Sequence, residues 1–133
     1  MNKNLVEAER WMKQAERDFS MAKVASKNGF FEHACFMCQQ AAEKAVKALL
    51  YSKGIRTFAT HSVKDLFLAA SKEFKIKDLR REAVLLDRQY VPTRYPDSFD
   101  SGSPFEYFNE EDAKTCVSYA GSVLAEVRRL LQK

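Results

Sequence analysis

The chain has 133 residues, 46% of them hydrophobic and 30% charged, with a formal net charge of +4 and a pI near 9. That length and composition suit one globular domain over 1–133 with a core of its own, and exclude a disordered or low-complexity chain. Mild basicity permits an anionic partner without specifying one.

The charged stretch from Met1 to Arg17 has no signal-peptide core, and no apolar run is long enough to span a bilayer. Three cysteines, an odd number, lie inside helical patterns. They argue for reduced thiols and a cytoplasmic setting without membrane contact.

The first helix is expected from about Asn4 to Lys27. Leu5, Ala8, Met12, Ala15, Phe19 and Ala22 step by three and four, with Trp11 flanking the stripe. Asn28-Gly29 ends it, and Gly29 can take the left-handed cap conformation. The loop is short, so the second helix must fold back antiparallel.

That second helix runs from Phe31 to about Lys53 and organises the rest. Its stripe is Ala34, Cys35, Cys38, Ala41, Ala42, Ala45 and Leu49. Small side chains let neighbouring helices come close, which makes this the central helix of a bundle. A second edge carries Gln39, Gln40, Glu43, Lys44 and Lys47. Glu43 precedes Lys47 by one turn, the favourable order for a helical ion pair.

A connector from Ile55 to Thr60 follows. A third helix is expected from His61 to about Phe74 with Thr60 as its cap, and a fourth from about Ile76 to Tyr90. The fourth has a basic outer face at Lys77, Arg80, Arg81 and Arg88. Residues 91–108 break the pattern with Pro92, Pro96 and Pro104, yet hold the aromatics Tyr95, Phe99, Phe105, Tyr107 and Phe108. A loop of that length and content is functional or mobile, and its rings argue against plain disorder. The last helix starts after Asn109, with Glu110, Glu111 and Asp112 at its positive end and Arg128, Arg129 and Lys133 at its negative end. No segment alternates with period two. The fold class is therefore all-α: an up-down four-helix bundle with a short extra helix.

Arg94, Tyr95 and Asp97 form the best candidate site, because arginine makes bidentate phosphate contacts and tyrosine stacks on bases. Tyr90 and Tyr107 could add to that surface. The structural alternative, held equally open, is a knot in which Arg94 pairs with Asp97 or Glu43. Gln40, Glu43 and Lys47 could line the same groove or hold the bundle together. His61 could serve as an acid–base group or a phosphate donor. A local hydrogen-bonding role at a helix start is favoured over catalysis. His33 is expected to face solvent. The Cys35-x-x-Cys38 pair lies within a helix with no strand before it, so structural thiols are favoured over a redox or zinc site. No metal or cofactor is expected.

Four features in order resemble the HEPN domain family. They are Trp11 with Asp18-Phe19; Gln40-Ala41-Ala42-Glu43-Lys44-Ala45-Val46-Lys47-Ala48-Leu49-Leu50; Thr60-His61; and Tyr90-Val91-Pro92-Thr93-Arg94-Tyr95-Pro96-Asp97. Together they span nearly the whole chain. The resemblance implies a helical bundle that dimerises and works beside a minimal nucleotidyltransferase in a toxin–antitoxin-like module. It also implies nucleotide or nucleic-acid binding. Some HEPN proteins are metal-independent RNases that use an Arg, four to six intervening residues and a His near the last long helix. Here Arg94 is followed by Tyr95-Pro96-Asp97, and no histidine follows His61. Arg56 and His61 have the spacing, but they straddle the loop before the third helix, with Thr57 after the arginine. The leading expectation is a non-catalytic nucleotide- or RNA-binding homodimer. The alternatives are an RNase in which Arg94 or Arg56 meets His61, and a structural protein-binding bundle.

Overall fold

A computed structural model describes residues 2–56 and 60–132. Thr57 and Lys133 lie outside the described residues. Five α-helices are present: α1 (Lys3–Lys27), α2 (Phe31–Ser52), α3 (Val63–Ser71), α4 (Arg80–Asp87) and α5 (Glu110–Leu131). Single 3-10 turns lie at Pro96–Ser98 and Pro104–Glu106. Among the described residues there is no strand.

The reversal between α1 and α2 depends on Gly29, at φ +82°, where a side chain would be strained. Gly54 ends α2 in the same left-handed region, at φ +75°. Helix α2 packs against every other α-helix. Its stripe of Ala34, Cys35, Cys38, Ala41, Ala42, Ala45 and Leu49 is wholly buried. The close approach expected from small side chains is thus realised. Bulk is supplied by the leucines Leu49, Leu50, Leu86 and Leu124, all fully buried. Each such leucine contributes about 1.5–3 kcal/mol relative to an exposed one.

The three long helices lie close to their expected limits. Asn109 caps α5 in a reciprocal box with Asp112, each side chain accepting the other's backbone N–H at 2.9 Å. The two short helices are shorter than expected. Ser62, not Thr60, caps α3, and its hydroxyl accepts the Asp65 N–H at 3.1 Å. The Asp87 carboxylate adds a second cap from the end of α4, accepting the N–H groups of Val63 at 2.6 Å and Lys64 at 3.0 Å. Helix α3 therefore begins two residues after His61 and leaves that residue on an extended connector.

Helix α4 begins late because the preceding backbone is held elsewhere. Glu126 of α5 accepts the Lys77 N–H at 2.9 Å, and Asp78 accepts the Arg80 N–H at 3.1 Å. It ends at Asp87, and turns carry the chain to Arg94. Pro92 discourages helix at Val91. Buried Thr93 then ties the loop down, its hydroxyl donating to the Gln89 carbonyl at 2.6 Å.

Candidate functional site

The fold brings five sequence-predicted residues, Glu43, Lys47, His61, Tyr90 and Arg94, together along one edge of α2. Glu43 is buried on α2 and is the hub. Its carboxylate accepts Lys47 Nζ at 2.9 Å and Gln39 Nε2 at 3.2 Å. The same carboxylate lies 3.2 Å from His61 Nδ1. A carboxylate only accepts, so Nδ1 carries the proton and Nε2 is directed away from Glu43. The His61 side chain is 50% exposed, whereas that of Glu43 is 6% exposed. Gln39 also donates to the His61 carbonyl at 2.9 Å, which fixes the backbone beneath the ring.

His61 stacks on Tyr90 with ring centres 4.6 Å apart and planes 17° apart. Arg94 meets the same tyrosine. Its Nε and Nη2 both donate to the Tyr90 carbonyl, at 2.9 and 2.7 Å. Its guanidinium carbon lies 4.4 Å from the centre of the Phe36 ring, 4.6 Å from that of Tyr90 and 4.9 Å from that of Tyr95. These are cation–π distances. Among the described residues, Arg94 pairs with neither Asp97 nor Glu43. The guanidinium is held by its Nε side and by three rings, and Nη1 keeps its donors.

The other predicted residues are placed as follows. Gln40 donates to Gln39 Oε1 at 2.7 Å and so reaches the hub at second hand. Tyr95 is 49% exposed beside Arg94. Asp97 is exposed in the 3-10 turn that follows. Tyr107 stacks on Phe99 at 3.9 Å and donates its hydroxyl to the Ser101 carbonyl at 2.6 Å. It lines a groove with Gln89, Phe108 and Asp112. Arg56 lies over Tyr51, at 5.6 Å from the ring centre, rather than against His61. His33 is exposed, as expected.

Phe36 and Asp87 belong to the site and were missed. A phenylalanine next to an alanine–cysteine stripe reads as core. Asp87 acts on a helix start far away in sequence, which no local pattern announces. The basic face of α4 is partly neutralised: Asp78 grips Arg80 through two bonds of 3.1 Å, and Arg81 lies over Tyr119.

Cys35, Cys38 and Cys116 are buried. A hydrogen bond with Cys116 and burial push the Cys35 thiol far up, and burial does the same to Cys38. Thiolate chemistry is disfavoured there. Among the described residues no cluster of histidine, cysteine and carboxylate groups could hold a metal ion.

The site therefore combines a cation with free donors, an imidazole oriented by a buried carboxylate, and exposed aromatic surface. That set fits a phosphate carrying a base.

Comparison with known proteins gives a consistent result. The HEPN domain matches residues 8–130. The chain is 33% identical to the "Putative toxin MJ1304" of Methanocaldococcus jannaschii, over 98% of this chain and 91% of that protein. Its fold is similar to the crystal structure of TT1696 from Thermus thermophilus, with a TM-score of 0.88 and 31% identity over 92% of this chain and 97% of the other. It is also similar to ST0689, an archaeal HEPN homologue, with a TM-score of 0.77 and 40% identity over 94% and 98% of the two chains.

Proposed function

The chain belongs to the HEPN domain family, and from that premise we propose that it is a nucleotide- or RNA-binding protein whose phosphate site lies between Arg94 and His61. The carrying observation is that both side chains sit 4.6 Å from the centre of the Tyr90 ring, each anchored on one side and open on the other. Arg94 Nη1 and His61 Nε2 are the donors this reading gives to the phosphate, and Tyr95 offers an exposed face to a base. The protein acts in the cytoplasm as a homodimer, in a toxin–antitoxin-like module whose second component is a minimal nucleotidyltransferase. The name of the Methanocaldococcus relative supports the toxin side of this reading. Thermal shift against ATP, GTP and a short RNA, repeated with Arg94→Ala, tests it. A concentration-dependent rise that the substitution abolishes supports the site. No rise with any of them, with or without the nucleotidyltransferase, counts against it.

One observation favours a second reading, RNA cleavage. The Glu43–His61 contact leaves Nε2 as the outward nitrogen, which is the arrangement of a general base acting on a ribose hydroxyl. Arg94 would then stabilise charge on the phosphate. Loss of cleavage in both His61→Ala and Arg94→Ala, with the fold intact, supports it. Cleavage persisting in both contradicts it.

A further inference from the structure

The Arg94 cluster continues along α2 to a second aromatic position. Lys47 bonds Glu43 at one side, and its Nζ lies 5.6 Å from the centre of the Trp11 ring. Trp11 in turn packs on Tyr51 with ring centres 5.3 Å apart. Beside Trp11, residues Glu7, Arg10, Lys13, Gln14 and Lys44 line an open groove of about 630 Å³ between α1 and α2.

Phe36, Gln40, Glu43, Lys44 and Lys47 share one face of α2, so the two aromatic positions lie on one line. From Phe36, under Arg94, to Lys47, beside Trp11, the helical rise gives roughly 16 Å. Stacked nucleotides in one strand rise roughly 3.4 Å each, so about five span that distance.

Charge along this line is layered. Two carboxylates lie underneath, with the Glu43 and Asp18 side chains 6% and 7% exposed, while Glu7, 26% exposed, lines the groove and holds Arg10 at 2.9 Å. The cations lie above them: Lys44, 25% exposed, bonds Asp18, and Lys13 is exposed. A chain of phosphates would therefore meet Lys13 and Lys44 before Glu43 and Asp18. Alternating cations and rings are the means by which single strands are held without sequence preference.

We propose that this face of α2, together with the groove beside Trp11, is a track for a single-stranded oligonucleotide, running from Arg94 to Trp11 with a base stacked at the tryptophan. The inference rests on the phosphate site proposed above and extends it from one nucleotide to about five. A duplex does not fit this role, because its bases are already stacked and turned inward.

Trp11 is the only tryptophan in the chain, so its fluorescence reports one place. The test titrates the protein with hexaadenylate, with AMP and with a hexamer duplex, exciting at the red edge of the tryptophan band. Thermal shift is read in parallel. Hexaadenylate is expected to quench Trp11, and AMP to shift melting without quenching. Trp11→Leu and the exposed Lys13→Glu are each expected to weaken hexaadenylate at least fivefold and leave the AMP shift unchanged. Lys13→Glu removes no packing, so it keeps the test valid if Trp11→Leu unfolds. If hexaadenylate binds in an Arg94-dependent way with no quenching, and Lys13→Glu binds normally, the track is wrong while the phosphate site stands. Equal binding of the duplex also overturns the track. No binding of either probe overturns both proposals.

Discussion

His61 Nδ1 lies 3.2 Å from the buried carboxylate of Glu43, and that one contact decides which ring nitrogen is available for chemistry. Glu43 is itself held by Lys47 at 2.9 Å, so the imidazole is oriented by a buried ion pair rather than by solvent. Second-sphere carboxylates of this kind fix both tautomer and ring orientation.

Glu43 and Lys47 should be strongly coupled. Glu43→Ala leaves the Lys47 ammonium buried without its partner and is expected to cost roughly 3 kcal/mol or more. Replacing both by leucine should cost clearly less. Urea denaturation of Glu43→Leu, Lys47→Leu and the double leucine variant measures the cycle. Additive losses would mean that the pair is not coupled.

Asp87 holds the start of α3 through the Val63 and Lys64 N–H groups. Asp87→Ala is expected to cost about 1–2 kcal/mol, the loss of a helix cap. Because His61 lies two residues before α3, the same change should weaken nucleotide binding without touching the ligand. Asp87→Asn, which keeps an acceptor, should restore most of both. Intact binding in a destabilised Asp87→Ala would separate the cap from the site.

Acid stability should depend on Glu126. Its bonds from Arg129, together with that from the Lys77 N–H, hold its carboxyl at about 2, below the ordinary 4.5. A pKa lowered by folding adds stability above the unfolded value, and that stability is lost as pH falls from about 5 toward 2. Arg129 is half exposed, so solvent screening keeps the contribution modest, on the order of 1–2 kcal/mol. Glu126→Gln should lower the denaturation midpoint at pH 7 and flatten its fall between those pH values. An unchanged acid limb would contradict this.

The long helices were legible because their signals are local. The Ala–Cys stripe of α2, the glycine that ends the first turn and the Asn109–Asp112 box each lie within a few residues of what they control. The short helices were overextended because their limits come from afar. Asp87 caps α3 and Glu126 holds back α4, each across the bundle. Within the candidate site, the residues that meet around Glu43 and Tyr90 were legible one by one, and their contacts were not. Arg94 was expected to face a ligand or to pair with Asp97 or Glu43. Neither pairing is found among the described residues, and the guanidinium grips the Tyr90 carbonyl, an acceptor present at any residue and so invisible in sequence. Tyr107 was grouped with Arg94 by its place in the loop, and its ring is found stacked on Phe99.

The central claim is that Arg94 and His61 make one phosphate site on the Tyr90 ring. Its most direct test is the affinity of the protein for a short fluorescent RNA, measured by anisotropy for the wild type, Arg94→Ala, Arg94→Lys and His61→Ala. Arg94→Ala and His61→Ala should each weaken binding about tenfold or more while keeping the helical spectrum. Arg94→Lys should fail to rescue, because an ammonium cannot hold the Tyr90 carbonyl through a two-pronged contact and still offer an open edge. Wild-type affinity in either alanine variant would contradict the account.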